Sequence, residues 1–193
     1  MRWGNTSANW GAIAKLLHWL IAIAILGNIA IGLYAAGLPM SPAQADAFYW
    51  HKTVGLTVLG LVILRILWRL ANPVPRPPPG MPRWQRIASG LSHFGLYVLM
   101  IALPLSGWVI HSASGFPMAL YGLFEVPDIV PEAADESAVQ DGATIVHYWL
   151  FVALGALVVI HVLAALKHHF VERDTVLVRM LPFTRATDPI RGE

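Results

Sequence analysis

The stretch Thr144–His169, TIVHYWLFVALGALVVIHVLAALKHH, decides how the chain is read. From Ile145 to Leu166 it holds no Asp, Glu, Lys or Arg, and it is long enough to cross a hydrocarbon layer about 30 Å thick as a helix. It also carries His147 and His161. Their separation of fourteen residues, at about 100° each, comes within about 40° of whole turns and rises about 21 Å. Both imidazoles therefore leave the same face, one near each end of the span. That arrangement suits two hemes at different depths in a bilayer, each taking one axial ligand from this helix.

Composition sets the same scene. Of 193 residues, 56% are hydrophobic and only 12% charged, where a soluble domain carries about a quarter charged residues. The mean hydropathy is +0.59. Several apolar runs near membrane length indicate one small integral membrane domain over residues 1–193, with no room for a soluble catalytic module. The chain has no cysteine, which excludes disulfides, iron–sulfur clusters, thiolate-ligated heme and the C-x-x-C-H attachment of c-type heme. Eight histidines remain as nitrogen ligands.

Three more apolar runs accompany the first. Spans are expected at about 13–38, 48–70, 87–110 and 145–166. The first is longer than the roughly 7–15-residue apolar core of a secretory signal, so it reads as a retained span despite the Ala43-Gln44-Ala45 triplet after it. Between the second and third spans, six prolines lie between Asn72 and Pro82, and that connector should be extended. Pro104 is expected to kink the third span. A polar loop from Ser112 to about Thr144 follows, with six carboxylates (Glu125, Asp128, Glu132, Asp135, Glu136 and Asp141) and no Lys or Arg. The tail, residues 167–193, should lie at the cytoplasmic surface as a short amphipathic piece.

Twelve of the thirteen Lys and Arg residues flank the termini or the proline-rich connector, and only Lys52 falls near the other face. By the positive-inside rule both termini and that connector are cytoplasmic and the acidic loop is external. The expected fold is thus all-α: a four-helix transmembrane bundle with cytoplasmic N- and C-termini.

Topology sorts the histidines by depth. His18, His93 and His161 fall in the inner half, and His51, His111 and His147 in the outer half. Each half has three candidates for two axial positions. Aromatic neighbours (Trp19, Trp50, Tyr148 and Trp149) mark His18, His51 and His147 as lying near the headgroup level. Fourteen residues beyond His18 stands Gly32, which would leave space beside an outer heme; fourteen beyond His51 stands Arg65, a cation aimed at the inner layer. A buried arginine needs an anion, and a heme propionate could supply one, although snorkelling to the surface would also serve. These features favour His18, His51, His147 and His161. Any single membrane histidine can instead hydrogen-bond a neighbouring helix, and that is the expectation for His93; His111 is expected at the interface. A zinc or di-iron site is disfavoured, because no Asp or Glu lies inside the expected spans and His168 and His169 diverge by about 100° on a helix.

The landmarks LLHWL, WHKTVG, LRILWRLANPVP, SHFGLYVLMIALPLSGW, the His147/His161 pair and AALKHHFVERDTVLVRMLP occur in this order between Lys15 and Pro182. In this the chain resembles the bacterial cytochrome b-561 family of small diheme membrane proteins. The resemblance implies two heme b groups, an inner one ligated by His18 and His161 and an outer one by His51 and His147, in the bacterial cytoplasmic (inner) membrane. It further implies an oxidoreductase resembling superoxide:ubiquinone oxidoreductases, with superoxide oxidised outside and ubiquinone reduced inside. His168, two turns beyond His161, matches a histidine associated with the quinone site and could hydrogen-bond a quinone carbonyl. Lys52, beside His51, is the candidate superoxide site. The acidic outer loop does not suit an anionic substrate, so two alternatives stand: a quinone-linked carrier for a basic periplasmic electron-transfer protein, and a structural or assembly subunit. No feature points to nucleic acid.

Overall fold

The computed structural model describes residues 2–130 and 135–184. Four long helices dominate: α1 (Ala12–Gly37), α2 (Pro42–Leu70), α3 (Arg83–Ser112) and α4 (Glu136–Lys167). All four are long and apolar enough to cross a membrane. Large apolar side chains such as Leu16, Ile23, Leu64, Leu91 and Leu163 stand exposed on them. Such surfaces suit a solvent of lipid tails, which imposes no penalty on them.

Helix boundaries follow local chemistry. Ser41 caps α2, its Oγ accepting from the Gln44 N–H at 3.3 Å, and Pro42 sits at the first helical position, where its missing N–H costs nothing. The Gln44 amide then donates to the Ala35 and Leu38 carbonyls at 3.2 and 2.9 Å, satisfying acceptors left over where α1 ends. The Ala43-Gln44-Ala45 triplet is thus part of the first turn of α2. Pro104 lies within α3, which continues unbroken to Ser112.

The acidic loop is shorter than expected, because α4 begins at Glu136 rather than near Ile145. Asp135 is the reason: its Oδ1 accepts from the Ser137 hydroxyl at 2.8 Å and from the Ala138 N–H at 3.2 Å. These bonds, the hydroxyl first, hold its carboxyl below the ordinary range. Before α4 comes a hairpin of two short antiparallel strands, β1 (Ala119–Leu120) and β2 (Phe124–Glu125). Tyr121 and Gly122 both have positive φ there, 52° and 70°. The Tyr121 hydroxyl, 2.8 Å from Thr57 Oγ1, ties the strained turn to α2. Glu132, one of the six loop carboxylates, lies outside the described residues.

The chain forms two compact units, and every long helix contributes to both. The first comprises residues 1–20, 63–96 and 156–193; the second, 21–62 and 97–155.

Beyond α4, the tail departs from a plain amphipathic helix. A π-helical turn (His168–Glu172) ends at Arg173, whose φ of 53° is left-handed. The chain then folds back onto α1: the Trp19 indole N–H donates to Met180 O at 2.9 Å, and the Lys15 ammonium donates to Leu181 O at 2.9 Å and Thr184 O at 2.7 Å. Lys15 is only 3% exposed. A buried ammonium is tolerable only when paired, and these carbonyls are among its partners. Residues 185–193 of the expected tail lie outside the described ones.

Hydrogen bonds to a charged group contribute about 1.5–3 kcal/mol each. Lys15→Met is therefore expected to release the tail from α1, read as faster hydrogen exchange at the amides of residues 177–184. Unchanged protection there would show that the tail is held by something else.

Candidate cofactor sites

In the second unit, His51 from α2 and His147 from α4 face each other, with ring centroids 6.1 Å apart and planes at 77°. Each ring is held from behind. His51 Nδ1 lies 3.0 Å from the Asn28 carbonyl oxygen, which can only accept, so Nδ1 carries the hydrogen. His147 Nδ1 lies 2.9 Å from Ser106 Oγ. The Ser106 hydroxyl donates to Leu103 O at 2.8 Å, leaving its oxygen to accept from His147. Both rings thereby keep Nε2 as the nitrogen with a free lone pair, the form a metal requires.

Two glycines make room for these rings. A Cβ on Gly32 would lie 2.7 Å from His51 Cε1 and 2.8 Å from its Nδ1, and one on Gly107 would lie 3.3 Å from His147 Cε1. Gly32 thus makes space for the imidazole itself. Both rings line a predominantly apolar cavity of about 510 Å³, together with Asn28, Lys52 and His111 among others. His111, at the end of α3, is buried, with both ring nitrogens unpartnered among the described residues.

In the first unit, His18 from α1 and His161 from α4 face each other at 6.2 Å, planes at 66°. His93 from α3 joins them, 5.5 Å from His161, with its Nδ1 3.4 Å from Ser89 Oγ. Arg65 donates from Nη1 to Ala14 O at 3.0 Å, and its charge is felt at His18, His93 and His161. Beyond this cluster, His168 Nδ1 lies 2.6 Å from both Glu172 Oε2 and Asp174 Oδ2. Glu172 is in turn paired with Lys167 and accepts from the Gln85 amide at 2.7 Å. These three residues offer the one close group of metal-type ligands among the described residues, with ligand atoms within 4.8 Å; the described hydrogen bonds already engage them.

The donor sets can be tested against a metal. An imidazole nitrogen sits about 2 Å from a metal it ligates and about 1.1 Å from its own ring centre, so rings facing across one ion have centroids about 6 Å apart. The separations of 6.1 and 6.2 Å match that gap, whereas 5.5 Å between His93 and His161 is tight for it. The cavity lies within the roughly 300–1,000 Å³ of cofactor pockets, and its apolar lining suits a macrocycle. The residues fit heme.

Comparison with known proteins agrees. Residues 9–183 match the family described as prokaryotic cytochrome b561. The chain belongs to this family. It is 36% identical over 186 residues to cytochrome b561 homolog 2 of Escherichia coli (strain K12), covering 94% of this chain and 95% of that protein. It is 35% identical over 175 residues to the probable superoxide oxidase CybB of Yersinia pestis, covering 88% and 93%. To cytochrome b562 of Cereibacter sphaeroides it is 28% identical over 170 residues, covering 86% and 90%. As a cytochrome b561 the protein is a bacterial heme-binding membrane protein of electron transport, and the family implies heme b.

Sequence reasoning missed Asn28, Ser106 and Gly107. Asn28 was visible as a polar break in an apolar span, but a backbone carbonyl acceptor leaves no trace in residue type. Ser106-Gly107 follows Pro104-Leu105 in an ordinary small-residue run.

Gly32→Ala forces the His51 ring to move and is expected to lower the heme content measured as pyridine hemochrome. Gly27→Ala, where a Cβ meets nothing within 4 Å, should leave it unchanged. Equal heme in both variants would remove Gly32 from the site.

Proposed function

We propose that this cytochrome b561 carries electrons across the bacterial inner membrane through two b hemes, oxidising periplasmic superoxide and reducing ubiquinone. The observation that carries the reading is the pair of facing histidine couples, His51/His147 and His18/His161, each spaced for one metal ion. Heme b held by these residues would supply one-electron chemistry. The balance is two superoxide ions giving two O₂ and two electrons, which with two protons convert ubiquinone to ubiquinol.

The protein's own groups have distinct tasks in this scheme. The four histidines would hold the two hemes, and substrates would then exchange electrons without binding the iron. Arg65, near His18 and His161, is suited to a propionate. Lys52 lines the cavity with His51 and offers the local positive charge that an anion needs on an otherwise acidic face. His168, whose Nδ1 lies against carboxylates, would in its protonated form donate its Nε2 hydrogen to a quinone carbonyl and is suited to move a proton there. The charge distribution of the sequence supports cytoplasmic termini and a periplasmic hairpin. A second reading, a carrier for a basic periplasmic redox protein, rests on the exposed carboxylates Glu125, Asp128, Asp135, Glu136 and Asp141.

Purified protein given a superoxide pulse should show rapid heme reduction, followed by ubiquinol formation. Hemes that stay oxidised would leave the carrier reading, for which reduction by a basic redox protein should slow as salt rises. His147→Ala and His161→Ala should each lose one b heme, and a different one; an intact two-heme spectrum in either would sink the ligand assignment. His168→Gln should keep both hemes while slowing ubiquinol formation by about 100-fold or more, and an unaltered rate would exclude His168 from proton transfer.

A further inference from the structure

The two histidine couples differ in what lies behind and beside their rings. In the second unit both Nδ1 atoms donate: His51 to the Asn28 carbonyl and His147 to Ser106 Oγ. The Ser106 hydroxyl is itself committed to Leu103 O, and a hydroxyl that donates becomes a better acceptor. In the first unit His18 and His161 face each other with no described hydrogen bond to a ring nitrogen of either.

The hydrogen bonds behind the second unit's rings bear on any metal those rings hold. An imidazole that gives its far N–H to an acceptor gains negative character and becomes a stronger donor, which favours the ferric state. We infer that Ser106 and the Asn28 carbonyl are positioning groups that hold the site of His51 and His147 at a lower reduction potential than it would have without them. The inference rests on the ligand assignment proposed above.

Ser106 is the testable member, since the Asn28 acceptor is backbone. Potentiometric titration of the purified cytochrome should resolve two potentials, and His161→Ala identifies the one belonging to His51 and His147. In Ser106→Ala that potential should rise by a threefold to tenfold change in the redox equilibrium, up to about 59 mV for one electron. The other should stay put, and the ferric low-spin electron-paramagnetic-resonance signal of one heme alone should shift. Ser106→Thr, which restores a hydroxyl, should return both readouts to the parent values. Should Ser106→Ala shed its heme, Ser106→Cys, with a weak sulfur acceptor, should give a smaller rise in the same potential. An unmoved or lowered potential, or a shift in the other heme, would overturn the inference. Retention of both hemes in His147→Ala would instead overturn the ligand assignment.

Discussion

Everything in this protein depends on how an imidazole is accommodated inside an apolar helix. A ring buried in a span has two nitrogens to satisfy, and lipid tails satisfy neither. Four rings here stand in pairs, facing each other with centroids near 6 Å apart. For two of them the far nitrogen is bound to backbone or hydroxyl oxygen, so the near nitrogen alone is left over. An empty gap of that kind would be a standing cost. The proposed heme would turn that cost into a binding site beside the second unit's cavity.

The glycines and small polar residues follow from that constraint. Asn28, Gly32, Ser106 and Gly107 all bear on the same two rings, two from α1 and two from α3. Helices that contribute no proposed ligand at this site still decide where its ligands point. This explains why α3 carries Ser106 and Gly107 beside a proline: the helix has to come close to His147, and a larger residue at Gly107 would press on the ring. His93 and His111, the histidines of α3, join the clusters without the same spacing, one near His161 and one deep beside the cavity.

The four spans were legible in the sequence because hydropathy and length are summed over many residues, and errors at single positions cancel. The facing of His147 and His161 was legible because helix geometry is regular over α4. Less regular features were hidden. The early start of α4 depends on one cap, Asp135, set among several equivalent acidic residues. The docking of the tail depends on a buried lysine, and from sequence Lys15 reads as an interruption in an apolar run. Backbone carbonyls served as partners for His51, Trp19, Lys15 and Arg65. Residue identity says nothing about which carbonyl is presented where, so the supporting contacts emerge only from the fold.

The surroundings of His168 show the same logic at the end of the last helix. A regular α-turn would place His168 and Glu172 one above the other and carry the chain onward. The wider π-turn, closed by left-handed Arg173, instead brings Asp174 back to the ring, with its N–H on the His168 carbonyl. The ring then has a carboxylate on either side of one nitrogen, and Lys167 balances the charge of the first. An acceptor-only neighbour places the hydrogen on Nδ1 and leaves Nε2 directed away from the carboxylates. The irregular turn thus fixes which nitrogen of His168 is engaged, as Asn28 and Ser106 do for the rings inside the membrane. In each case one nitrogen is occupied by the protein and the other is left for the role proposed above.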